Sequence, residues 1–199
     1  DDVVFSNFTV YNITYEGVEV YYDNATIESC IISDCYTGVY LSYSDNSKVE
    51  GCEIHDCGNK GIYIFISKNA TVKNSEIYNN HWEAIYSFYS PNALIMGCEM
   101  HHNEKALYIS DSLNTTIQSC DIFNHTGNEA AYFYACDYLT LYDCDVYNNS
   151  VDDGLELDYC DGAKIFSCRI HENEGDGIDM GLSKQWIISD CILYDNQNN

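Results

Sequence analysis

Apolar and polar residues alternate at period two over short stretches, as in GIYIFI (61–66) and ALYIS (106–110), and these stretches return about every 23 residues. Alternation at period two predicts strands, not helix. The repeats count from Gly17, Gly38, Gly61, Ala84, Ala106, Ala130, Gly154 and Gly177, after a partial copy over 1–16. Relative to those starts, apolar side chains fall at position two (Val39, Ile62, Ile85), four (Leu41, Ile64, Phe133), twelve (Val49, Val72, Ile95) and seventeen (Ile54, Ile77, Met100). That spacing makes three inward-facing strands per turn. One such turn cannot bury its own apolar face, but stacked turns share a core and pair their backbones at about 4.8 Å. Helical repeats are excluded, because Tyr, Cys, Asn and β-branched residues are poor helix formers. The expected fold is all-β, a right-handed single-stranded parallel β-helix of about eight coils in a single domain over 1–199.

Segments such as GIYIFISKNATVKNSEIYNN (61–80) and ALYISDSLNTTIQSCDIFN (106–124) resemble the repeats of the parallel β-helix superfamily, which includes pectate lyases, polygalacturonases and alginate epimerases. The resemblance covers nearly the whole chain. It implies a fold and leaves function open, since one scaffold hosts many activities.

Charge narrows the partners. A formal net charge of −24, from 32 acids against 8 bases, sets the surface against nucleic acid and acidic polysaccharides. No apolar run of 18 residues and no basic-then-apolar leader is present, so neither membrane insertion nor a signal peptide is expected, and Asp1 reads as a processed or excised start.

Seven N-x-[ST] triplets occur, at Asn7, Asn12, Asn24, Asn69, Asn114, Asn124 and Asn148. Either the repeat places Asn at a turn with Thr two residues later, or some of them carry glycans on a secreted or cell-surface protein. The 11 cysteines also follow the repeat. Cys30, Cys52, Cys98, Cys120, Cys144, Cys168 and Cys191 share one inward column with Ser75, as expected of reduced, stacked thiols. The turn pairs Cys35/Cys57 and Cys136/Cys160 are the more conceivable disulfides, and zinc bound by the thiols is not expected.

The outward positions of the first strand hold the candidate chemistry. Position three reads Tyr40, Tyr63, Tyr86, Tyr108, Tyr132, and position five adds Phe65, Phe88 and Tyr134. Such a strip is an aromatic ladder between rungs, an interface with another chain, or a platform for sugar rings. At its C-terminal end Asp153 is expected to stack on Asp176 and Glu156 on Asp179, a calcium candidate because like charges about 5 Å apart call for a cation or a proton. The polygalacturonase and epimerase motifs are missing apart from an Asp-Asp, and the one Arg, Arg169, lies on a different strand from the acids. His55, His101 and His171 share position eighteen two or more rungs apart, so they cannot share a metal, and adjacent His101 and His102 are expected on opposite sides of a strand.

These observations favour a non-catalytic extracellular structural or adhesive β-helix. Its partners are expected to be other copies of itself, joined head to tail through uncapped ends and laterally through the Tyr strip, with glycans as further partners and no cofactor unless calcium. The alternative is a carbohydrate-binding or polysaccharide-processing module that uses the aromatic and acidic face.

Overall fold

The computed structural model describes residues 3–150 and 152–198. Asp1 and Asp2, part of the partial first copy, lie outside the described residues. The rest contains strands and turns and no helix, and therefore no helix long and apolar enough to cross a membrane. The strands form three parallel sheets, one of eight strands and two of nine, in which every neighbour comes from the next coil. The period read from the sequence is the coil. Val39 pairs with Ile62, Val49 with Val72 and Ile54 with Ile77, so each predicted inward column is a real column. Ile54, Ile62, Ile77, Ile85, Ile95 and Leu107 are wholly buried in one continuous core.

Each coil closes through corners where one residue takes the left-handed conformation. Asn24, Asn46, Asn69, Asn92 and Asn114 hold φ between 56° and 61° in one corner column. Asn12, Asp34, Asp56, Asn79, Asn124 and Asn148 hold φ between 51° and 58° in another, and Asn7 and Asn74 are left-handed in a third. Among residues with a Cβ, Asn and Asp adopt this conformation most readily. All seven sequon asparagines therefore occupy left-handed corners. Their side chains also bond along the stack: Asn69 Nδ2 donates to Asn46 Oδ1 at 2.9 Å and Asn92 Nδ2 to Asn69 Oδ1 at 3.1 Å.

Inside the corners run ladders of small polar side chains, each accepting from the backbone N–H of the coil before. Ser67 Oγ accepts from Ser44 N at 3.0 Å and Ser90 Oγ from Ser67 N at 3.0 Å. Asn80, Asn103, Asn149 and Asn173 make a buried amide ladder, interrupted by fully buried His125. All eleven cysteines are unbridged. Cys35 and Cys57 are the first rungs of the Asn column, and Cys136 and Cys160 continue the Ser column, with Cys136 N donating to Cys160 Sγ at 3.3 Å. The turn pairs are ladder rungs, not bridges.

Candidate functional site

The eight-stranded sheet comprises Val18–Val20, Val39–Ser42, Ile62–Phe65, Glu83–Phe88, Lys105–Ser110, Glu129–Tyr134, Asp153–Asp158 and Ile178–Met180. Its outward face carries three parallel columns. The first is the predicted one. Tyr40 pairs with Tyr63, Tyr63 with Tyr86, Tyr86 with Tyr108 and Tyr108 with Tyr132, after which Glu156 and Asp179 follow in register. Successive rings alternate between stacked and edge-on: 4.9 Å and 23° for Tyr40–Tyr63, 5.1 Å and 83° for Tyr63–Tyr86, 4.9 Å and 21° for Tyr86–Tyr108. The five rings are half-buried by one another. Burial pushes the Tyr86 hydroxyl up to about 12, so it stays a hydrogen-bond donor at neutral pH.

The second column holds Phe65 and Phe88, parallel at 6.0 Å, and Tyr134, which the buried Ser110 separates from them.

The third column is absent from the reading of positions three and five. The residue before each Gly or Ala start also faces outward, and there Lys60, Glu83, Lys105 and Glu129 alternate in charge before Asp153 and Asp176. Lys60 Nζ lies 3.3 Å from Glu83 Oε2 and 4.8 Å from the centre of the Tyr86 ring. Glu83 is nearly buried, and its Oε2 makes this charge contact without an aligned hydrogen bond. Lys105 pairs with Glu129 and sits 5.9 Å from the centre of the Tyr132 ring. The signal was readable: Lys-Gly, Glu-Ala, Lys-Ala and Glu-Ala open four successive repeats.

At the acidic end, desolvation and a hydrogen bond to Glu129 push the Glu156 carboxyl up to about 7. Tyr132 Oη donates to Asp158 Oδ2 at 3.1 Å. Burial likewise raises Asp153, whose Oδ1 accepts from the Asp176 backbone N–H at 2.7 Å. Asp153, Glu156, Asp176 and Asp179 thus share one end of the face, yet among the described residues their carboxylates do not gather into a group of three or more within ligand distance of one another. The group that does is Glu76, Glu99 and His101, on a different sheet.

That sheet is the nine-stranded one containing Glu53–His55, Glu76–Tyr78, Glu99–His101, Asp121–Phe123, Asp145–Tyr147, Arg169–His171 and Ile192–Tyr194. Position eighteen becomes one continuous stack of rings, His55, Tyr78, His101, Phe123, Tyr147, His171 and Tyr194, with centres 4.5 to 5.2 Å apart and planes within 19°. The three histidines are separated by other rings, as expected. His101 and His102 do not diverge. His102 is a left-handed corner residue with φ 54°, so strand alternation ends at His101 and the two Nδ1 atoms lie 2.8 Å apart.

Surface depressions of about 360 Å³ beside Val4, Asn24 and Lys48 and about 350 Å³ beside Asp121, Asp145 and Arg169 are open dimples on other faces. The tyrosine column runs across five consecutive coils of the eight-stranded sheet.

The family model described as "right handed beta helix region" matches residues 1–135 and 97–199. A search of the curated proteins finds no match. Among solved structures, pectate lyase Pel9A is 10% identical with a TM-score of 0.74, the alignment covering 92% of this chain and 57% of that one. The periplasmic alginate epimerase AlgG is 14% identical with a TM-score of 0.67, covering 88% and 51%. The Azotobacter vinelandii mannuronan C-5 epimerase AlgE6 A-module is 10% identical with a TM-score of 0.57, covering 99% and 76%. The chain spans about half the length of the first two. At these identities the likeness is one of fold.

Proposed function

The chain belongs to the right-handed β-helix family, and from that premise we propose that it is a carbohydrate-binding module whose ligand is a polysaccharide chain lying on the face of the eight-stranded sheet. The observation that carries the reading is the column Tyr40, Tyr63, Tyr86, Tyr108 and Tyr132 in register, flanked by Lys60, Glu83, Lys105 and Glu129. Half-buried rings offer apolar area to the faces of sugar rings. The flanking ions and the tyrosine hydroxyls offer donors and acceptors to sugar hydroxyls. Two neighbours in fold bear the words pectate and alginate in their names. The net charge of −24 argues for an uncharged glycan instead of such acidic polymers.

A location outside the cytoplasm belongs to the same proposal. It is compatible with the unbridged thiols, because ten of the eleven are buried.

Affinity electrophoresis through gels containing neutral polysaccharides, with alginate and polygalacturonate for comparison, tests the reading. Retardation by at least one neutral polymer is expected, lost in Tyr86→Ala/Tyr108→Ala and kept in Tyr147→Ala, which alters a ring on the other sheet. No retardation by any polymer, or retardation indifferent to the double variant, would overturn it.

A further inference from the structure

We propose that Glu76, Glu99 and His101 form a binding site for one divalent transition-metal ion on the outer face of the second nine-stranded sheet. Along that face the acids Glu53, Glu76, Glu99, Asp121 and Asp145 stand in register on consecutive coils. Two residues further on in each strand comes the ring stack. In three places the ring of one coil reaches back to the acid of the coil before. Tyr78 Oη donates to Glu53 at 2.7 Å, His101 Nε2 lies 3.2 Å from Glu76 Oε1, and His171 Nε2 lies 3.2 Å from Asp145 Oδ1.

Glu99 breaks the series. The ring that would serve it is Phe123, which has no donor, and the Glu99 carboxylate lies 4.0 Å from the same His101 Nε2 that faces Glu76. Two carboxylate oxygens and one imidazole nitrogen therefore lie within 4.8 Å of one another. A single proton on Nε2 can bond to one carboxylate and leaves the other facing like charge. A dication satisfies both.

The ring is set for that role. Stacking between Tyr78 and Phe123, at 5.0 Å from each, fixes its plane, and His102 Nδ1 stands 2.8 Å from His101 Nδ1, placed to accept a proton carried there when Nε2 binds the ion. A hydrogen bond from Nδ1 leaves the Nε2 lone pair facing the two carboxylates, the usual support for a metal-bound imidazole. Glu76 and Glu99 are exposed, so the remaining coordination positions open to water. One nitrogen and two carboxylate ligands suit zinc and its neighbours better than calcium, which takes six to eight oxygens.

The other two histidines lack the combination. In the coil before Glu53 the acid position is Ile31, and Tyr78 already donates to Glu53. The Asp145 carboxylate beside His171 is already paired with Arg169.

The test uses the full chain freed of metal with a chelator and titrated calorimetrically with zinc chloride. One equivalent is expected to bind. Affinity should fall at least tenfold in His101→Ala and in Glu99→Gln, the second of which leaves the ring stack intact, and should be unchanged in Glu53→Gln. Cobalt chloride should give visible d–d bands without a thiolate charge-transfer band, separating this site from the cysteines. Absence of binding, zinc affinity indifferent to His101→Ala and Glu99→Gln, a thiolate band with cobalt, or calcium binding as tight as zinc would each overturn the assignment.

Discussion

Glu156 is hydrogen-bonded to Glu129 on the neighbouring strand, and Glu129 is paired on its other side with Lys105. From an ordinary value of 4.5, the Glu156 carboxyl is pushed up to about 7 by desolvation first and by this bond second. A carboxyl with a raised folded-state value binds its proton more tightly folded than unfolded. Its contribution to stability is therefore fully present below pH about 4.5 and is lost as pH rises through about 7. Denaturant midpoints measured from pH 4 to 8 should fall more steeply in the wild type than in Glu156→Gln. Equal slopes would count against the raised Glu156 value.

Asn103 is a fully engaged rung of the buried amide ladder. Its Oδ1 accepts from Asn80 N at 2.9 Å and Asn80 Nδ2 at 3.0 Å, and its Nδ2 donates to the carbonyls of Ile77 and His101. Asn103→Ala should lower stability by about 2–3 kcal/mol, because several buried partners lose their bonds together. Chemical denaturation checks this, and a loss below about 0.5 kcal/mol would mean that water replaces the amide.

Ile66 holds φ 48° in a corner, a conformation that a β-branched residue adopts only under strain. Ile66→Asn should raise stability by about 1 kcal/mol, since only part of the side chain is buried and Asn tolerates the left-handed region. Asn92→Val, on a neighbouring corner column, should lower it by a similar amount. The two thermal unfolding curves should shift in opposite directions.

Burial pushes Cys52 up to about 11, and thiol contacts along the column with burial put Cys120 at about 12. Neither forms appreciable thiolate near neutrality. Iodoacetamide at pH 8 should leave Cys52, Cys120 and Cys144 unmodified in the folded protein and label all of them in guanidinium chloride, as read by peptide mass. Labelling of the folded chain at Cys120 would show that the coils open locally.

Columns and register were legible in the sequence because they follow from one period. Tyr63 opposite Tyr86 and Glu156 opposite Asp179 needed only the spacing of the Gly and Ala starts. The Lys60, Glu83, Lys105 and Glu129 column lies one position before the small residue that opens each repeat, where strict alternation does not predict an outward side chain. His101 and His102 were misjudged because strict strand alternation was carried one residue into a corner. The convergence of Glu76 and Glu99 on one nitrogen depends on side-chain rotamers and on Phe123 lacking a donor, which no period encodes.

The backbone bonds that hold each coil run to the next, as from Asn46 N to Lys68 O and from Gly61 N to Glu83 O. The molecule therefore has a unit of growth. Spacings between successive Gly or Ala starts vary by a few residues, so corners tolerate small insertions while strands keep their registers. Duplicating one whole repeat, such as 61–83, would lengthen every column by one rung of about 4.8 Å and add one tyrosine to the face without disturbing a pairing. The length of the tyrosine column is thus set by counting coils, and adding or removing whole repeats changes it in single steps.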